Sequence, residues 1–256
     1  MNMKLIFICV IFLIPRFSKA QKGSIALSES LNGNAEILKV KMGTQWFGKI
    51  WKFQFGEYEV VSSKLNWITS SNRGSIFNRK TESSTTEKFS FALANQAADT
   101  ARVNAASKVK INSLREIEIL PHFSIGTDDF LSETGNFAAF ININSDTANT
   151  WALLMNVVSF SENSKYYDAF LTNGDRRIIV QPVTSKDNRS IPALGYEFQE
   201  NGVAICAVQY YGGGAMGMNK NIVWLGRQLD EHMKLICAAA MTAILQLKVT
   251  APGPGM

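Results

Sequence analysis

Residues that ligate metals or carry protons are scarce in this chain. Its 256 residues include two histidines and three cysteines. His122 and His232 lie 110 positions apart, and neither has a second His or Cys at the local spacing of a zinc site. No HExxH partner follows His232, which excludes a zincin there. The G-x-S-x-G turn that advertises a serine hydrolase of the α/β type is missing. No phosphate-binding loop ending in Lys-Ser/Thr is present. Unbroken apolar runs of membrane-spanning length are also lacking, since a spanning helix needs about 20 such residues. No cofactor and no metal are expected.

What is present starts at the N-terminus. Lys4 precedes an unbroken apolar run from Leu5 to Ile14, Pro15 breaks it, and Ser18-Lys19-Ala20 leads into Gln21. A basic start, an apolar stretch of ten residues and small residues at the junction are the layout of a secretory signal peptide. Residues 1–20 are therefore expected to be removed and the protein exported to the periplasm, the cell surface or the medium, with no membrane span after cleavage. Taking Lys4, Arg16 and Lys19 from 26 basic residues leaves 23 against 21 acidic ones, a net charge of +2. Near-neutral balance gives no electrostatic case for nucleic acid, which needs a concentrated basic face.

Cys9 falls within the expected signal peptide, leaving Cys206 and Cys237. In an exported chain these two could pair. The reading preferred from the sequence is that both are small buried apolar residues, because spacing alone does not bring their Cα atoms within bonding reach.

The middle of the chain reads mainly as strands. Residues 21–34, rich in Ser, Gly and Asn, are expected to be a flexible leader. From Ala35 the pattern is mostly period two. Trp51, Phe53 and Phe55 alternate with Lys52 and Gln54; Tyr58 and Val60 resume on the other parity after Gly56, as at a bulge or bend. Leu65 to Thr69 is a further strand, the polar segment 70–86 a long loop, and the Ala-rich segment 96–107 a short helix. Alternation returns over 137–143, 151–160, 166–171 and 176–183. Asn173-Gly174-Asp175 and Asn201-Gly202 sit between apolar runs, which is the strongest short-range hairpin signal. Residues 229–247 carry apolar side chains at i, i+3, i+4 and i+7 on one broad face, the pattern of a helix. Pro252-Gly253-Pro254 belongs to a flexible tail over 251–256.

The expected fold is one domain over 35–250, mainly β (α+β): an antiparallel meander forming a sandwich or a strongly curved sheet, closed by one C-terminal helix packed across it or over one end. Helices between strands are missing, which argues against a parallel α/β arrangement.

Candidate functional residues fall into a few groups. Gly212-Gly213-Gly214-Ala215-Met216-Gly217 formally matches G-x-G-x-x-G, yet a strand pattern rather than a helix follows it, so it reads as a wide connection in which Met216 and Met218 offer an adaptable contact surface. Asn142, Asn144 and Asp146 begin like a calcium loop, but neither Thr147 nor Leu153 fits the positions that require Gly and Glu. His122, Ser124, Asp128 and Asp129 cluster in sequence and define an alternative reading as an exported hydrolase. The aromatic stretch holding Trp46, Trp51, Phe53 and Phe55 is the best candidate binding surface, although such alternation also fills ordinary β cores. The leading expectation is a non-enzymatic exported domain of the envelope or secreted fraction. It would bind a small ligand or an envelope protein through that aromatic face or its loops. A further alternative is a structural homo-oligomer subunit whose interface is the C-terminal helix.

Overall fold

The computed structural model describes residues 24–66, 68–75, 78–114, 117–120, 123–125, 129–161, 164–186, 192–212 and 221–250. The expected signal peptide 1–20, the tail 251–256, and His122, Asp128, Met216 and Met218 lie outside them.

Hairpins dominate, and their turns explain most of the order. β3 (Phe53–Phe55) turns into β4 (Tyr58–Leu65) across Gly56-Glu57. Gly56 has φ +54°, as the first central residue of a II′ turn requires. The change of parity there is thus a two-residue hairpin and not a bulge. β12 (Ser164–Thr172) returns as β13 (Arg177–Thr184), with Asn173 Oδ1 accepting from the Asp175 and Arg176 amides at 3.2 and 2.9 Å. β14 (Leu194–Glu200) returns as β15 (Val203–Tyr211) across Asn201 and Gly202, at φ +50° and +79°. Two left-handed residues in succession make the I′ turn that Asn-Gly favours.

Several segments differ from the sequence expectation, among them Leu65 to Thr69, which is not a strand of its own: β4 ends at Leu65 and the next strand begins at Thr69. Residues 70–86 are not a loop: β5 (Thr69–Ser75) pairs antiparallel with the first half of β6 (Asn78–Ala94). Residues 96–107 are not a helix either: after a turn at 95–99, β7 (Thr100–Leu114) runs antiparallel to β6. Ala101, Val103 and Ala105 point into the core from β7 while Arg102 and Asn104 face out, so the alanines mark a close-packed strand face.

The remaining strands are β1 (Ala35–Lys39), β2 (Lys41–Met42), β8 (Ile117–Leu120), β9 (Phe123–Ile125), β10 (Asp129–Ile143), β11 (Trp151–Ser161) and β16 (Ile222–Gly226). β8 and β9 form a separate hairpin. The other fourteen form one antiparallel sheet in the order β1-β16-β15-β14-β13-β12-β11-β10-β7-β6-β4-β3-β2, with β5 added on β6. The two ends of this path are consecutive in the chain. Lys39 pairs with Ile222, the Val40 amide donates to the Asn221 carbonyl at 3.1 Å, and Lys41 already pairs with Gln54 of β3. One segment thus crosses from one edge to the other, and the sheet curls into a nearly closed barrel. Of the two expected forms, the strongly curved sheet is the one found.

A ring of this many strands is too wide for its own side chains to fill. The helix α1 (Glu231–Thr250) supplies the filling. Its first turn is capped by Asp230, whose Oδ1 accepts from the Met233 amide at 2.7 Å. Every residue from Leu235 to Gln246 is buried, more than three turns on all sides. The helix therefore lies inside the barrel rather than across or over the end of a sheet, packed against β7 and β10 on one wall and β15 and β16 on another. Glu231–Val249 is long and apolar enough to cross a membrane, and 72% of it is enclosed by the fold. The surface that would have served as a homo-oligomer interface is covered by the chain's own strands.

A second, smaller cluster lies on the outside. Ile25 and Leu31 pack on Ala204, Ala207, Ile222 and Trp224. The described part of the presumed leader is fastened there. Ser28 donates from its amide and its hydroxyl to Glu197 at 2.8 and 2.6 Å, and the Ile25 amide donates to Gln209 Oε1 at 3.1 Å. Strands β14 to β16 are consequently buried on both faces, which is why Ala204–Val208 reads as a continuous apolar run.

Candidate functional site

The loop between β2 and β3 carries the most exposed aromatic residues of the described chain. Gly43 continues the β2–β3 pairing through its amide to the Lys52 carbonyl at 2.8 Å. The Lys49 amide then donates to the Trp46 carbonyl at 3.0 Å, closing a turn whose third residue, Gly48, has φ +71°. A type II turn requires a positive φ at that position, which glycine supplies without strain. The turn is tied to the wall of the barrel by the Leu65 amide, which donates to the Gly48 carbonyl at 2.7 Å. Gln45 Nε2 donates to the Lys49 carbonyl at 3.2 Å.

This arrangement lifts Trp46 and Phe47 to the apex, where they are 71% and 90% exposed. Beside them the outward side chains Val61 and Ile68 are 58% and 54% exposed. A shallow groove of about 550 Å³ runs between the apex and Leu65, Asn66 and Ile68. It continues into a second of about 700 Å³ lined by Lys64, Asn66, Thr69, Thr86 and Lys88. Trp46 also borders a third hollow with Lys49, Lys52, Val61 and Ser63. Among the described residues, no Asp or Glu lines these grooves. Lys52 is paired with Glu59 at 2.5 Å; Lys49, Lys64 and Lys88 stand in the exposed rim. The patch is thus apolar at its centre and cationic at its border.

The residues named from the sequence part company here. Phe53 and Phe55 are 0% and 1% exposed and belong to the core, with Phe55 and Tyr58 at 5.6 Å between ring centres. They do not form a binding face, because their strand presents that parity to the core. Trp51 is half-buried against the core, its amide donating to Gln246 Oε1 of α1 at 3.3 Å. Trp46 alone of the four is available at the surface. Phe47, which the alternation passed over, is its partner in the patch. The signal was present: adjacent aromatics cannot both enter the same sheet face.

Of the hydrolase candidates, His122 and Asp128 are outside the described residues. The backbone places Ser124 in β9 opposite Glu118 and Asp129 at the start of β10 opposite Leu114. Among the described residues no group of three or more His, Cys, Asp or Glu side chains could hold a metal ion. The calcium-like triplet is explained by its loop. Asn142 Nδ2 donates to the Asp146 carbonyl and the Thr150 hydroxyl at 3.0 and 2.6 Å, and Asp146 accepts from the Ala148 amide and Asn149 Nδ2. The Asn149 side chain, the largest influence, holds the Asp146 carboxyl below its ordinary value.

Both cysteines are free thiols in the same core. Cys206 faces inward from β15 and Cys237 lies on α1, both fully buried. Burial pushes the Cys206 thiol well above its ordinary value, and its hydrogen bond to Cys237 acts in the same direction. Compared with protein-family models, curated proteins and solved structures, the chain matches none.

Proposed function

We propose that this protein is an exported binding module whose contact surface is the 43–50 loop with the neighbouring outer face of β4 and β6. Its ligand is an anionic amphiphile of the cell envelope, presented as a lipid surface. The observation that carries this reading is the exposure of Trp46 and Phe47, at 71% and 90%, on a turn fixed by Gly48 and the Leu65 hydrogen bond. Large exposed apolar patches on soluble domains mark interaction sites. Aromatics beside lysines suit the boundary between acyl chains and anionic headgroups. The signal-peptide pattern supports delivery to such a surface.

Vesicle sedimentation tests the reading. The protein is expected to pellet with phosphatidylglycerol vesicles and to remain in solution with phosphatidylcholine vesicles. Trp46→Ala with Phe47→Ala should weaken binding at least tenfold, and the Trp46 emission should shift to the blue on binding. Lys64→Glu with Lys88→Glu should abolish the preference for anionic lipid. Failure of the unaltered protein to pellet, or equal pelleting of the Trp46/Phe47 variant, refutes the proposal.

A further inference from the structure

We infer that Cys206 and Cys237 are joined in the mature protein by a disulfide that fixes the central helix to the barrel wall. Cys206 sits in β15 opposite Leu225 of β16, with its side chain in the core that surrounds α1. Cys237 lies in the second turn of α1 and is buried in the same core. Strand β15 packs directly against α1, and both cysteines are free thiols in the core between them. With Cys9 removed in the signal peptide, each is the other's only intramolecular partner. Thiols are weak donors and weak acceptors, so a reduced pair adds little to this apolar site, whereas the disulfide leaves no donor to satisfy.

The bond forms by two exchanges with an external disulfide. One cysteine thiolate attacks a sulfur of the oxidant, giving a mixed disulfide and releasing one thiol. The second cysteine thiolate then displaces the other thiol. Two cysteine thiols are oxidised to the disulfide, one external disulfide is reduced to two thiols, and the two protons lost by the cysteines end on those released thiols. Both sulfurs are inaccessible in the folded protein, and burial disfavours the Cys206 thiolate. Exchange therefore takes place while the chain folds, before α1 is enclosed. The bond closes a loop of 31 residues through β15, β16 and the start of α1, long enough to restrict the unfolded chain substantially.

The experiment uses the full chain carrying Cys9→Ala, so that only these two thiols are counted. The protein is refolded in a mixture of reduced and oxidised glutathione, denatured, alkylated and weighed by mass spectrometry. The expected result is no alkyl group before reduction and two after it, with a cross-linked peptide pair containing positions 206 and 237. Reduction should lower the thermal midpoint by on the order of 10 °C. Cys206→Ala with Cys237→Ala should remove that sensitivity to reductant. Two alkylated thiols before reduction, glutathione adducts at both positions, or an intermolecular dimer overturns the inference. The inference uses the exported location assumed above, but the refolding result does not: pairing in glutathione buffer with free thiols in exported protein would refute the inference for the cell while leaving the lipid contact to its own test.

Discussion

Two phenylalanines six positions apart separate core from surface in this fold, and replacing each tests the division. Phe53 is fully buried in the core, and Phe47 is 90% exposed at the apex of its turn. An aromatic side chain buries about 150–250 Å², which at about 25 cal/mol per Å² corresponds to roughly 4–6 kcal/mol. Truncation of a core phenylalanine to alanine costs about 3–5 kcal/mol in practice. For a domain of this size about 1 kcal/mol moves the midpoint by roughly 2–4 °C. Phe53→Ala should therefore lower the melting temperature by roughly 6–20 °C. Phe47→Ala should stay within about 2 °C, since exposed substitutions change stability by about 0.5 kcal/mol or less. Lipid binding should respond in the opposite sense, lost with Phe47→Ala and kept by Phe53→Ala below its midpoint. Scanning calorimetry with vesicle sedimentation reads both. A Phe47→Ala shift as large as that of Phe53→Ala would refute the placement of the 43–50 loop on the surface.

Two glycines with similar backbones should behave differently: Gly202→Ala meets open space at φ +79° and should cost about 1–2 kcal/mol of strain. Gly212→Ala puts its Cβ 2.1 Å from the Pro192 carbonyl at φ +66° and should cost at least about 3 kcal/mol by urea unfolding. Asp230→Ala removes the cap of α1 and should cost about 1 kcal/mol, read as a lower thermal midpoint. The Arg176 guanidinium, bonded to Glu200 at 2.8 and 2.9 Å, holds the Glu200 carboxyl below its ordinary value of 4.5. A depressed folded value gives stability that is fully present above the unfolded value and is lost as pH falls through the folded one. Both side chains are partly exposed, so the effect is at most about 1 kcal/mol, and Glu200→Gln should flatten the stability profile below pH 4.5 by that amount.

The parts of the fold legible in the sequence are those whose signal is local. Asn201-Gly202 and Asn173-Gly174 announced their hairpins because few residues tolerate those backbone angles. Residues 229–247 announced α1 because helix spacing and the acidic Asp230-Glu231 start agree. Three readings failed where the signal was one of burial. Residues 24–34 look solvated by composition, yet Ile25 and Leu31 suffice to anchor them on an outer face that only the finished sheet creates. The alanines of β7 suggested a helix, when they mark the wall that α1 approaches. Of the aromatic candidates, Phe53 and Phe55 were assigned to binding because alternation shows that a face is apolar and not what it meets.

The missed strand pair at 70–86 has a further cause, visible in the register. Glu87 pairs with Ser107, Ser107 with Phe137, Phe137 with Met155 and Met155 with Ala169. All five are buried, and they form one row across the curved sheet. Beyond it on the same parity, Thr85 and Ser83 of β6 are only half-buried and Ile111 of β7 is 38% exposed. The helix sets this limit: twenty residues span about 30 Å, whereas the seventeen of β6 extend to about 55 Å along the strand. Even with a tilt of about 40° the longest strands overshoot α1. Past this row the described side chains of β6, from Glu82 to Thr86, are half-buried or exposed, so no hydrophobic alternation is required there and Ser and Thr serve. The inward parity of β6, read as Leu93, Phe91, Phe89, Glu87, Thr85 and Ser83, changes from apolar to polar at that rim. That change marks where the core ends, not where the strand ends.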